Sequence, residues 1–258
     1  MAVFTASLDS ALVRETAAQA RADGADLNPL WQTMITVPDA PSPGAAEHDP
    51  EHAALIRRAL TAPCVAAISV TPAEGPRTEL EISVDGVGTV VCARRSGGEA
   101  GWSPVETETL PEIIMSLAPE GSRLAAPASM TTRSEATRLQ LSSTQVDQVR
   151  SRVDREDSAQ AAIEALPDLD PGLRDALTST GDRASLAIHL IPPAPEQSVT
   201  LLRRWTSGEH GLYSADGPAG PLAGMHLVED GDFFGTVIPL LHEGARIAQA
   251  DSRAGGAA

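Results

Sequence analysis

The chain has 258 residues, a formal net charge of −16 and no lysine, so all 19 of its cations are arginines. Nucleic acids and anionic membranes attract basic surfaces, and a protein this acidic is repelled by both. The absence of lysine excludes Schiff-base chemistry and a phosphate-binding P-loop, which both need that residue. We therefore expect no nucleic-acid partner and no insertion into a membrane.

The N-terminal residues and the apolar runs favour a cytoplasmic protein. The opening, MAVFTASLDSALVRETAAQA, has no basic start and carries Asp9, unlike a secretory signal. No uninterrupted apolar run approaches the roughly 18 residues of a membrane helix. Cys64 and Cys92 lie in apolar, strand-like runs. We predict that both are buried free thiols, with a disulfide between neighbouring strands as the alternative.

The first half of the chain reads as helix, sheet, helix. Residues 8–22 have helical spacing, and Asp49-Pro50 predicts a second helix with Asp as its cap and Pro at its first position. Four strand-like segments follow, with Asp85-Gly86 as a two-residue hairpin turn between the second and third. These segments are CVAAISV, TELEISV, VGTVVCARR and WSPVE, and the helix TLPEIIMSLAP closes the half.

The second half repeats this order after a polar connector that is helical over residues 134–165. A helix, PGLRDALTS, precedes four segments interpreted as strands. They are ASLAIHLI, SVTLLRRW, LYSADG and MHLVEDGDFF, and a closing helix begins at TVIPLLHEGARIAQA. The tail DSRAGGAA is predicted to be disordered.

Two local matches indicate an internal duplication. IRRALT (56–61) and LRDALT (173–178) agree at four of six positions, and each precedes the first strand of its half. TLPEII (109–114) and VIPLLH (237–242) both place a proline at the predicted start of the closing helix. The predicted fold class is α+β with two pseudo-symmetric lobes, each an antiparallel sheet flanked by helices; chance similarity is the alternative.

The corresponding domain boundaries follow the composition of the chain. Residues 1–50 hold a helix and a Pro/Ala-rich loop, 51–120 the first lobe, 121–165 the connector, 166–250 the second lobe and 251–258 the tail.

Candidate catalytic and metal motifs are weak. HDPEH (48–52) has the H-x-x-E-H spacing of a zinc protease, but Pro50 restricts Asp49 away from helical geometry, which leaves His48 off the helix. The remaining histidines have no Cys or His at ligand spacing, and no serine-nucleophile elbow occurs. We predict no metal, no cofactor and no catalytic residue.

The stretch LLRRWTSGEHGLYS (201–214) holds Trp205 and Tyr213, two of only seven aromatic residues. In a strand, Leu201, Arg203 and Trp205 share one face. Arg and Trp are enriched at binding hot spots, although a Trp packed with an Arg inside the fold is the common structural arrangement. Contact with a partner protein is the functional alternative.

These segments together resemble the EspG family of type VII (ESX) secretion-associated chaperones of GC-rich actinobacteria. The likeness runs over residues 50–250 and is carried by DGVGTVVCAR, TLPEIIMSLAP, SVTLLRRWTSGEHGLYS and GTVIPLLHEGARI, whereas residues 1–50 show no opening strand of the family type. It implies a cytosolic, cofactor-free α+β chaperone. Such a chaperone covers the apolar tip of a helical PE–PPE-type substrate, keeps it soluble and directs it to export.

By this resemblance, Arg203, Trp205 and Tyr213 are the predicted partner-contact residues. The sequence leaves open whether the protein forms a homodimer. The alternative is a hydrolase whose site assembles from isolated groups such as Glu209, His210 and Asp232. A small-ligand regulatory module is a third class. A deep pocket with converging titratable groups would favour the enzyme, and an open sheet face the chaperone.

Overall fold

The structure is a computed structural model that describes residues 4–5, 7–8, 10–41, 49–95, 100–126, 138–155, 157–218 and 224–255. Its α-helices are Ala11–Ala22 (α1), Pro29–Met34 (α2), Pro50–Thr61 (α3), Leu110–Met115 (α4), Ser143–Val153 (α5), Ala159–Glu164 (α6), Pro171–Thr178 (α7) and Asp232–Gly255 (α8). Its strands are Phe4–Thr5 (β1), Cys64–Thr71 (β2), Thr78–Val84 (β3), Thr89–Arg95 (β4), Gly101–Val105 (β5), Arg138–Leu139 (β6), Arg183–Leu190 (β7), Val199–Ser207 (β8), Leu212–Asp216 (β9) and Met225–Val228 (β10).

All ten strands of the described residues form one antiparallel sheet, in the order β1-β5-β4-β3-β2-β7-β8-β9-β10-β6. β2 and β7 pair along eight residues at its centre, from Cys64 opposite Leu190 to Thr71 opposite Arg183. From this pair, the strands of each half run outward in chain order, and the short strands β1 and β6 lie at the two edges. Short edge strands limit pairing with other chains.

The antiparallel α+β fold with flanking helices is confirmed, but the two predicted lobes do not have separate sheets. Each half contributes a four-stranded meander, and the pairing of β2 with β7 joins the two meanders. The physical reason is that an unpaired edge strand exposes a row of backbone donors and acceptors. Pairing β2 with β7 gives the backbone donors and acceptors at the inner edge of both halves their hydrogen-bond partners.

One face of the sheet packs against α4 and α8, and we call it the α8 face. Alternate residues of the central strands supply its core, including Ile68 of β2 and Leu186 of β7. α8 approaches this face closely at Gly244, where a Cβ atom would lie 2.2 Å from Cys64 Sγ. Glycine at this position therefore lets the helix backbone lie against the start of β2.

The other side of the sheet, the opposite face, is covered by two separate groups of helices. α1, α2 and α3 pack on the first half, where Trp31 and Trp102 stack with ring centroids 5.7 Å apart, and α2 also reaches β7. α5, α6 and α7 pack on the second half around Leu173 and Leu166. The sheet between the two groups keeps part of its surface accessible.

The structure corrects several boundaries. MHLVEDGDFF is a strand only as far as Val228, because Gly231 has a positive φ of 84° and Asp232 begins α8. Pro239 therefore lies inside α8 and not at its start. The prediction of a disordered tail is wrong for residues 251–255, which continue α8. Residues 256–258 lie outside the described residues.

Near the N-terminus, the sequence missed two elements. β1 is an opening strand that pairs with β5, with Phe4 opposite Trp102. α2 begins after Asn28, whose side chain accepts a hydrogen bond from the Leu30 amide. The hairpin between β3 and β4 is confirmed, but its turn lies one residue later than predicted. The Asp85 amide donates to the Gly88 carbonyl, so that Gly86 and Val87 occupy the turn instead of Asp85 and Gly86.

Cys64 and Cys92 are free and buried, as predicted. Burial raises the pKa of the Cys64 thiol to about 12, so that this thiol is protonated at neutral pH. Within the described residues, no helix has the length and apolar character needed to cross a membrane.

Candidate functional site

The uncovered part of the opposite face forms an open groove over the centre of the sheet, which we call the trough. It has a volume of about 400 Å³. Its floor is built by six residues of the three central strands, with Ala176 and Leu177 of α7 as one wall. The floor residues are Ser69, Thr71, Arg183, Ser185, Arg204 and Thr206.

Strand register explains why these floor residues meet. Ser185 of β7 lies opposite both Ser69 of β2 and Arg204 of β8. Two residues earlier on β7, Arg183 lies opposite both Thr71 and Thr206. Residues that are directly opposite in antiparallel strands point to the same face, so two neighbouring rows of polar side chains fill the floor. The Ser69 and Ser185 hydroxyls share a hydrogen bond of 2.8 Å.

A small apolar patch lies beside the hydroxyl rows, on the same face of the sheet. Ala187 of β7 lies opposite Ala67 of β2 and Leu202 of β8, and all three are half-buried. The trough therefore presents hydroxyls and guanidinium groups beside apolar surface. Such a mixture suits contact with another protein better than it suits enclosure of a small molecule.

The β3–β4 side of the opposite face is an ion-pair network. Glu79 pairs with Arg77 at 2.7 Å and with Arg94 at 2.9 Å, and Arg94 also lies 3.2 Å from Glu81. Burial raises the pKa of the Glu81 carboxyl, and the positive charge of Arg94 offsets part of that rise. The charges on this side are thus balanced within the chain.

Two arginines of the floor, in contrast, have no carboxylate partner among the described residues. The Arg183 guanidinium donates to the Ser179 carbonyl at 2.6 Å, and Arg204 donates to the Pro218 carbonyl at 3.4 Å. The Arg204 Nε atom is buried and has no acceptor in the described part of the chain. The floor of the trough is therefore locally positive in a protein of strongly negative net charge.

The α7 wall is fixed to the β8–β9 turn by Asp175. Its carboxylate accepts hydrogen bonds from the Glu209 amide at 2.8 Å, the His210 amide at 2.9 Å and the Tyr213 hydroxyl at 2.9 Å. Glycine at 208 leaves room for this contact, because a Cβ there would lie 2.4 Å from Asp175 Oδ2.

We expect Asp175→Asn to lower the free energy of unfolding by roughly 1–3 kcal/mol at pH 7, because an amide cannot accept all three bonds. Burial alone would raise the pKa of Asp175, but the two amide bonds and the tyrosine bond outweigh it and lower that pKa. The stabilisation is therefore present above the ordinary value near 3.8 and is lost as pH falls through the lower folded value.

Urea unfolding of both proteins at pH 7 and at successive values below 4 measures this effect. The difference in the free energy of unfolding between wild type and Asp175→Asn should become smaller as the wild-type carboxyl is protonated. A difference that stays constant into acid would contradict the assignment of this charge.

Two of the predicted contact residues are buried on the α8 face. Trp205 donates from Nε1 to Asp232 Oδ2 at 2.8 Å, and its ring meets Phe233 edge to face at 5.2 Å. The Arg203 guanidinium lies 3.2 Å from Asp232 Oδ2, 3.0 Å from the Ser214 hydroxyl and 5.5 Å above the Trp205 ring. This cluster fixes the first turn of α8 to β8.

The third predicted contact residue, Tyr213, lies on the other side of the sheet beneath α7. Burial and the Asp175 bond raise the pKa of its hydroxyl to about 12. The structure therefore brings Arg203 and Trp205 together, separates them from Tyr213 and leaves all three 1–8 % exposed. Direct partner contact by these three stays a prediction.

The groups named for a hydrolase do not converge. Glu209 and His210 are exposed on the β8–β9 turn, whereas Asp232 is held by Trp205 and Arg203 under α8. No metal-binding group of three His, Cys, Asp or Glu side chains occurs among the described residues. His48 of the zinc-like motif lies outside them, and His52 is 3.5 Å from its helix cap, Asp49.

Sequence reasoning missed the trough itself. Its floor residues are ordinary strand residues that no motif distinguishes. The available signal was the polar side chains that interrupt the apolar runs, such as Ser69 in CVAAISV and Ser185 in ASLAIHLI. Polar residues on a strand that is central in its sheet indicate an uncovered face.

Comparison with known proteins gives matches of structure but none of sequence. No family model matches the sequence, and no curated protein matches it significantly. The chain is similar in structure to the Mycobacterium tuberculosis type VII secretion system chaperone EspG5, solved in complex with the PE25–PPE41 dimer. The two are 13% identical, with a TM-score of 0.41 over 96% of this chain and 95% of EspG5. The match is to the family that the sequence resembles.

Proposed function

We propose that this protein is a cytoplasmic chaperone of a type VII (ESX) secretion system. It binds the apolar helical tip of a PE–PPE-type substrate, keeps that substrate soluble and directs it to export, with no bond-making step. The observation that carries the proposal is the trough, an open and partly apolar stretch of central sheet between two groups of helices. The sequence resemblance over residues 50–250 supplies the class of partner, which is also the class that EspG5 binds in its complex.

The dimensions of the trough support a helical occupant. An antiparallel sheet has neighbouring strands about 4.8 Å apart, so the floor formed by β2, β7 and β8 is about 10 Å wide. That width matches the diameter of an α-helix with its side chains, roughly 10–12 Å. A standard interface buries about 1,600 Å² in total, so a partner helix in the trough would also contact the surface around it.

We also infer that the two halves are copies of one α–β–β–β–β–α unit related by a pseudo-two-fold axis between β2 and β7. The matching order of elements, the IRRALT/LRDALT similarity and the symmetric strand order support this inference. The consequence for function is that the trough lies near the axis, where both halves contribute to its floor.

Co-expression with a PE–PPE pair encoded beside the gene tests the function. We expect co-elution and a higher soluble yield of the pair. Leu202→Glu, which places a charge in the apolar patch beside the floor, should weaken binding roughly tenfold or more. Val87→Glu is the matched control, because Val87 is 82 % exposed on the β3–β4 turn. Its affinity should equal that of wild type.

Failure of every neighbouring pair to bind or gain solubility would contradict the chaperone function. Equal effects of the two glutamate variants would instead contradict the placement of the site in the trough.

A further inference from the structure

We propose that Arg183 and Arg204 form a carboxylate-binding pair that receives an Asp or Glu side chain of the helical partner. This inference rests on the proposed function and gives the partner a chemistry beyond an apolar tip. It also makes the trough a specificity-determining site.

The register of β7 and β8 places the two arginines on the same face of the sheet, within the floor of the trough. Their guanidinium groups bond to separate carbonyls, so binding one anion requires both side chains to turn toward each other. Arg204 lies opposite Ser185, so Arg183, two residues earlier on β7, is its diagonal neighbour on the same face. Diagonal neighbours in antiparallel strands lie roughly 7–8 Å apart, and their Cβ atoms are somewhat closer. Arginine side chains are long enough to converge from that separation.

Both arginines are equipped to bind an anion that the described residues do not supply. Their hydrogen bonds go to the backbone carbonyls of Ser179 and Pro218, and the buried Arg204 Nε–H has no acceptor among the described residues. A buried donor without an acceptor is costly, and a carboxylate can accept two parallel N–H bonds from a guanidinium group. Arg77 and Arg94, which lie on the β3–β4 side of the same face, are instead paired with the Glu79 carboxylate.

The surroundings favour a carboxylate on a protein side chain. The hydroxyls of Ser69, Thr71 and Thr206 line the same floor and can donate to the second carboxylate oxygen. Ala176 and Leu177 of α7 flank the arginines. Apolar side chains next to the acidic residue on the partner helix would therefore have apolar surface to contact. The trough is also open, which suits a helix that lies across the floor.

The test compares Arg183→Gln/Arg204→Gln with Arg150→Gln/Arg246→Gln. Both double variants change the net charge equally, but Arg150 and Arg246 are 67% and 70% exposed on α5 and α8. Affinity for the purified PE–PPE pair is measured by calorimetry at two NaCl concentrations. We expect the trough variant to bind roughly 10- to 100-fold more weakly, with a smaller salt dependence than wild type, and the control to bind like wild type.

Amide substitutions of the acidic residues at the tip of the partner identify the other half of the pair. One of them should reproduce the loss and add little to it when combined with the trough variant. Competition by inorganic phosphate at constant ionic strength reports whether a free anion occupies the arginines. Phosphate binding together with unchanged partner affinity of the trough variant would overturn the proposal.

The possible failures are distinguishable. If wild type binds the pair and the trough variant binds equally well, the carboxylate site is wrong and the chaperone function stands. If wild type binds no pair, the proposed function fails and this inference fails with it.

Discussion

Arg203→Met is expected to lower the free energy of unfolding by roughly 3–5 kcal/mol, because it leaves the Asp232 carboxylate without its guanidinium partner in a mostly buried position. The side chains of Arg203 and Asp232 are 9% and 11% exposed. Methionine retains much of the aliphatic length of arginine and leaves little cavity. The loss of stability therefore measures mainly the removed charge and its hydrogen bonds. The Ser214 hydroxyl also loses its 3.0 Å bond.

Equilibrium urea unfolding measures this loss, with Arg246→Met as the control. Arg246 pairs with Glu243 on the exposed side of α8, and its substitution should change the free energy of unfolding little. A cycle with Asp232→Asn should show that the two buried substitutions are strongly non-additive, since each removes the same ion pair. Equal, small effects of Arg203→Met and Arg246→Met would contradict the buried network.

The same variant addresses the contact role predicted for Arg203. Affinity for the PE–PPE pair is compared below the unfolding transition and corrected for the folded fraction. A residue that only fixes α8 to β8 should leave the corrected affinity near that of wild type. A loss that persists after correction would support direct contact or a shift of α8.

Local patterns predicted most of the sheet because each strand carries its own signal. TELEISV alternates apolar residues and became β3 over its full length, and the apolar run CVAAISV became β2. The boundary of β10 failed for a physical reason. Phe233 and Phe234 continue the apolar content of MHLV, but Gly231 breaks the strand between them.

The missed helix α2 had a readable start signal. Asn28-Pro29 places a capping side chain before a proline, as Asp49-Pro50 and Asp170-Pro171 do for α3 and α7. Its six residues are too few to show a helical period. The capping pair alone could have identified it.

The candidate site was beyond local patterns because it depends on pairing between distant segments. Ser69 and Ser185 are 116 residues apart in the chain and meet only through the β2–β7 register. Choosing contact residues by type favoured Trp205 and Arg203, which the amphipathic helix α8 then covers. Residue type indicates contact area, but the helices decide which sheet residues remain accessible.

The second large expected effect on stability concerns a residue of α2, the helix that was not predicted from the sequence. Trp31→Ala is expected to lower the free energy of unfolding by roughly 3–5 kcal/mol. Trp31 is fully buried, stacks on Trp102 with an angle of 20° between the rings, and donates from Nε1 to the Ser83 hydroxyl at 3.1 Å. These contacts join α2 to β3 and β5, so the removal of the indole opens a cavity between helix and sheet.

Thermal and urea unfolding of Trp31→Ala, Ser83→Ala and wild type separate the contribution of indole packing from that of the hydrogen bond to Ser83. Ser83→Ala removes only the acceptor and should cost roughly 1–3 kcal/mol, because the buried indole N–H is left unpaired. Amide hydrogen exchange in 29–35 should accelerate in Trp31→Ala more than exchange in α7, which packs on the other half of the sheet. Unchanged exchange and stability in Trp31→Ala would mean that α2 is held by its capping residue Asn28, whose amide donates to the Ala62 carbonyl at 2.9 Å, and not by the paired indoles.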